Sequence, residues 1–123
     1  MLEYKNIVNS LKNAVPGFDM KELVEEEPIT VFSFFSIFLI KALKENNKPV
    51  LGSSIDLINE MSINDTSEIA ALLEEIAISI FDSGMYNESF KKKLSNRSLS
   101  FFNKTLDLWK RGNDIKDESL RTM

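Results

Sequence analysis

Thirteen consecutive residues, Pro28 to Ile40, carry no charge, and the ten from Val31 read VFSFFSIFLI, with eight apolar residues of which four are phenylalanine. Lys41 closes the run. A bilayer span needs roughly 20 apolar residues, so this stretch is too short to cross one. It is also too apolar on every side for a helix with one face in water. As a helix it must be covered by the rest of the chain or by a second copy. The simplest expectation is a central core helix over about 29–45; a homo-oligomer interface and a lipid-like ligand pocket are the alternatives.

The flanking sequence supplies helices to cover it. Ile7, Val8, Leu11 and Val15 repeat at helical spacing over Glu3 to Ala14, and Pro16-Gly17 ends that element. Asp19 is placed to cap a short helix through Met20, Leu23 and Val24. Glu25, Glu26 and Glu27 precede Pro28, which suits a helix start: proline fits the first turn, and carboxylates favour the positive end of the dipole. Asn46 to Pro49 reads as a loop, with Gly52-Ser53-Ser54 leading into a short helix from Ile55 to Met61. Asp65 with Glu68 has capping-box spacing before a helix over Thr66–Asp82. There Ile69, Leu72, Leu73, Ile76 and Ile80 form a seam widened by Ala70, Ala77 and Phe81. A last long helix is expected from Asn96 to Arg111, its seam Leu99, Phe102, Leu106 and Trp109, stopped by Gly112. No segment alternates with period two. The expected fold is all-α, a single-domain bundle of five or six helices over residues 1–112, followed by a polar tail at 113–123 that frays.

Composition narrows the chemistry. Hydrophobic residues make up 43 % and charged residues 28 %, ordinary for a folded globule. With no cysteine, disulfides and thiolate metal sites are excluded. With no histidine, the commonest general base and metal ligand is gone, and so is the di-iron Glu-x-x-His pattern. The adjacent carboxylates Glu25–Glu27 and Glu74-Glu75 diverge by about 100° per residue on a helix and do not converge on one ion. Asp56 and Glu60 lie one turn apart, but no EF-hand spacing is present. No serine sits in Gly-x-Ser-x-Gly, and the four glycines form no phosphate loop. The reading is a protein that is not an enzyme and takes no cofactor. The first fifteen residues are interrupted by Glu3, Lys5 and Lys12 and lack the apolar stretch of a secretory signal, so a cytoplasmic location is expected.

Charge is segregated along the chain. Residues 63–85 hold five acids and no base, while 86–111 hold seven bases and two acids. Glu68, Glu75 and Asp82, spaced seven apart, form an acidic strip on one side of their helix. Lys93, Arg97, Lys104 and Arg111 form a basic stripe, with Phe101 and Leu108 beside it. That stripe suits a solvated face, or packing against the acidic helix in antiparallel fashion. The net charge of −4 opposes non-specific nucleic-acid binding.

The stretch from Glu68 to Lys110 combines a Leu-Leu-Glu-Glu helix, a basic linker and a final helix ending Phe-x-x-x-x-Leu-x-x-Trp. In this it resembles the C-terminal half of small all-α bacterial proteins that include presumed immunity proteins of polymorphic toxins. The resemblance implies a non-catalytic module that occludes a cognate toxin. The candidate partner-binding residues are Glu68, Glu75 and Asp82, as exposed carboxylates set on the partner's basic site, followed by Arg97 and Lys104, because charge complementarity speeds association. The alternative is a small helical regulator or adaptor acting as a homodimer through its apolar helix. Neither nucleic acid nor membrane is expected as a partner.

Overall fold

The computed structural model describes the backbone of residues 2–64 and 66–121 and the side chains of all of these up to Gly112. Among the described residues every regular element is helical: α1 (Ile7–Ala14), α2 (Pro28–Glu45), α3 (Lys48–Met61), α4 (Ser67–Asp82), α5 (Glu88–Lys91) and α6 (Asn96–Arg121). Single 3₁₀ turns at Tyr4–Asn6 and Lys21–Leu23 precede α1 and α2. The all-α bundle expected from periodicity is the observed fold. No helix is long and apolar enough to cross a membrane among the described residues.

α2 is the hub. Pro28 opens it, and Asn46 closes it in the left-handed region at φ 53°. Asparagine tolerates that conformation, which lets the Asn47 amide reach back 2.9 Å to the Ala42 carbonyl. Its inner face, Val31, Phe32, Phe35, Ser36, Leu39 and Ala42, is buried. Phe35 meets Phe18 and Phe32 edge to face, at centroid distances of 5.7 and 5.9 Å, a favourable arrangement of ring quadrupoles. The two serines inside the apolar run are satisfied locally. Buried Ser36 donates to the Phe32 carbonyl at 2.8 Å, and the Ser33 hydroxyl is shared between the Ile29 carbonyl and Glu75. The run is not covered all round, however: Phe34 is 50 % and Ile37 64 % exposed.

Helix boundaries move in four places. The first expected helix divides into a 3₁₀ turn and α1, and the second shrinks to the 3₁₀ turn, with Asp19 accepting from the Lys21 amide at 3.0 Å. α3 begins at Lys48 instead of after Ser54, because Asn47 accepts from the Val50 amide and Pro49 occupies the first turn, where its missing N–H costs nothing. α6 continues through Gly112 to Arg121 instead of stopping. The glycine takes ordinary helical backbone there, while Gly84, at φ 79°, provides the turn that ends α4. The proposed Asp65 cap and the side chains of the polar tail lie outside the described residues.

The connections are short, Asn46-Asn47 between α2 and α3 and residues 62–66 between α3 and α4, and these three helices pack on one another. α4 packs against α2 more extensively than any other pair of elements. α6 then runs parallel to α4. Ala70, near the start of α4, shares a groove with Arg97 and Phe101, while Phe81 near its end meets the Trp109 ring at 5.9 Å. The antiparallel pairing allowed by the charge pattern is therefore not the one adopted. A parallel pair needs a return crossover, and residues 83–95, containing α5, provide it. Phe90 anchors that segment, buried against Phe102 (centroids 6.1 Å) and Tyr86 (6.0 Å).

Tyr86 closes this cluster, its hydroxyl donating to Asn103 Oδ1 at 2.6 Å. Burial, and then the nearby Glu88 carboxylate, hold its phenol above the usual value of 10.0. A folded-state pKa above the unfolded one means that the Tyr86 contribution to stability is fully present below the unfolded value and is lost as pH rises through the folded value. The ultraviolet difference titration between wild type and Tyr86→Phe is expected to give a tyrosinate midpoint above 10.0; a midpoint at or below it would contradict this environment.

Candidate interaction surfaces

The polar joint between α3 and α6 sets the position of α6. Asn59 Oδ1 accepts from the Ser95 amide at 3.0 Å and from buried Ser98 Oγ at 2.8 Å. Ser95 Oγ in turn accepts from the Ser98 amide at 3.2 Å, capping the first turn of α6. Arg97 Nε donates to the Ser62 carbonyl at 3.1 Å. These bonds fix the rotation of α6, and with it the face that it turns outward.

That face carries Arg97, Phe101, Lys104, Leu108 and Arg111, spaced four, three, four and three. Arg97, Phe101 and Lys104 line a groove of about 480 Å³ with Ser62, Asn64 and Ala70. Asn64 Nδ2 also holds the Leu2 carbonyl at 2.9 Å, so the N-terminus lies beside this groove. Leu108 is 57 % exposed, and Arg111 pairs with Asp107 at 3.1 Å. The structure thus brings the predicted cations Arg97 and Lys104 together, with an aromatic side chain between them. Phe101 is half-buried against the core and Leu108 is exposed, and cations alternating with such groups make a surface of the kind that protein interfaces use, because arginine and aromatics combine area with directed polar contacts.

The acidic strip fares differently. Glu68 and Asp82 are exposed, but Glu75 is half-buried against α2, its carboxylate accepting from Ser33 Oγ at 3.1 Å and Ser79 Oγ at 3.5 Å. Helical spacing then puts Glu68 and Asp82 along the α2–α4 seam, while Ala70 and Phe81 on the other flank of α4 face α6. Acidic strip and basic stripe therefore lie on opposite flanks of α4, and no ion pair joins α4 to α6 among the described residues.

A second groove, of about 720 Å³, lies between α1 and the segment leading to α2, lined by Val8, Lys12, Phe18, Met20 and Val24 among others. Asp56 and Glu60 are both exposed on α3. Among the described residues no three carboxylates are grouped so as to hold a metal ion. The sequence allows the apolar helix to meet a second copy, but its uniform apolar run gives no sign of which side the remaining helices leave open: that side is the one with Phe34 and Ile37.

Comparison of the chain with protein-family models, curated protein sequences and solved structures gives no match.

Proposed function

We propose that this chain is a non-catalytic protein-binding module that occludes a cognate partner, most specifically an immunity-type protein that neutralises a toxin. The observation that carries the reading is the α6 face, where Arg97, Phe101, Lys104 and Leu108 present cations and apolar groups in one strip. Such a strip suits an acidic protein surface that also offers apolar contacts. Electrostatic attraction guides the encounter, and burial of Leu108 with the open part of the Phe101 ring slows dissociation. Glu68 and Asp82, on the other flank of α4, form a separate acidic edge, and Glu75 serves the packing of α4 on α2.

The test is co-expression with the product of the adjacent gene, followed by isolation of the complex and measurement of growth protection. Lys104→Glu and Leu108→Asp, both at exposed positions, are expected to weaken the complex at least about tenfold. Glu68→Lys with Asp82→Lys is expected to change it little. A complex insensitive to the α6 variants would overturn the assigned face, and absence of both complex and protection would overturn the immunity reading. Salt-sensitive binding to mixed-sequence DNA would instead replace the protein partner with a nucleic acid.

A further inference from the structure

We propose that the outward face of α2 pairs two copies of this chain, antiparallel, in a symmetric dimer. The inference is independent of the α6 reading, since it concerns a different helix and a different occupant.

The face consists of Glu27, at the cap position, followed by Thr30, Phe34, Ile37, Lys41 and Lys44. Their spacing of three, four, three, four and three is that of a heptad seam, running over roughly 25 Å of helix. All are exposed except half-buried Thr30. Phe34 and Ile37, at 50 % and 64 % exposure, form its apolar centre. Glu27, Lys41 and Lys44 make no ion pair among the described residues.

This pattern is self-complementary in one direction only. A two-fold axis at the midpoint between Phe34 and Ile37 lays each copy's Phe34 against the other's Ile37. The same operation sets Thr30 opposite Lys41 and Glu27 opposite Lys44, because each pair is equidistant from the midpoint. Unlike charges therefore meet at both ends of an apolar centre. Parallel pairing would set Glu27 on Glu27 and the lysines on one another, a repulsive arrangement. A two-fold interface uses one patch twice, so every favourable contact is made in duplicate.

The patch is small. Two copies of this helix face bury less than the roughly 1,200 Å² at the low end of standard stable interfaces, so the dimer is expected to be weak, with a Kd on the order of 10–100 µM. The end pairs stay near solvent, and added salt is expected to loosen it.

Sedimentation equilibrium of the full chain across that concentration range tests the proposal, with circular dichroism melting to confirm that each variant is folded. The wild type is expected to pass from monomer to dimer, and Ile37→Lys to remain monomeric. Glu27→Lys and Lys44→Glu alone are each expected to weaken association about tenfold, and the combined exchange E27K/K44E to restore it, since unlike charges again face each other. A wild type that stays monomeric throughout, or a dimer unaffected by Ile37→Lys, would overturn the proposal. A dimer weakened by each single change and not restored by the exchange would overturn the antiparallel register.

Discussion

Phe35→Ala is expected to lower the unfolding free energy by about 3–5 kcal/mol, whereas Phe34→Ala, one residue away, changes it by less than about 1 kcal/mol. The contrast is geometric. Phe35 is fully buried and its ring meets Phe18, Phe32 and Phe38, so truncation opens a cavity that three rings and a helix backbone cannot collapse to fill. Phe34 is half exposed, and its removal takes away apolar surface that already faces water. Domains of this size are stable by about 5–15 kcal/mol, so the loss expected for the Phe35 variant is a large part of the total. Urea denaturation followed by circular dichroism measures both variants. Equal losses would mean that α2 is rotated relative to the orientation described.

Asn59→Ala is expected to cost about 2 kcal/mol, out of proportion to the atoms removed. The carboxamide oxygen receives both the Ser95 amide and the buried Ser98 hydroxyl, and without it the amide at the head of α6 has no acceptor. Asn59→Asp provides the informative comparison. Both contacts to Oδ1 are donors, and a carboxylate accepts from both while also facing the positive end of the α6 dipole. Its stability at neutral pH is expected to stay within about 0.5 kcal/mol of wild type and to fall below it as the carboxylate protonates in acid. If Asp is as damaging as Ala, the joint works by packing and not by accepting hydrogen bonds.

Most of the bundle is legible in the sequence because helical periodicity records which side of a helix meets the core. Ile69, Leu72, Leu73, Ile76 and Ile80 are all buried as their spacing implies, and so are Phe102 and Leu106. Legibility fails where the pattern carries no contrast. In VFSFFSIFLI both sides are apolar, so the run marks a hub without saying that Phe34 and Ile37 would remain open. Glu75 illustrates a second limit: its seven-residue spacing from Glu68 and Asp82 is correct, yet one hydroxyl on α2, Ser33, draws its carboxylate into the helix seam. The parallel course of α6 depends on how far the 83–95 crossover carries the chain, a distance that no local pattern encodes. Arg97 and Lys104 share a helix face whatever the topology, and only the groove around them required the fold.

Native-state amide hydrogen exchange tests the central claim, that α2 and its packing on α4 form the hub on which the other helices depend. Amides on the inner face of α2, from Phe32 to Ala42, and those of the α4 seam are expected to be the slowest in the chain and to exchange only through global unfolding, while α1, the 3₁₀ turns and α5 open at lower cost. Protection concentrated in α6, with α2 exchanging as readily as α1, would contradict the account.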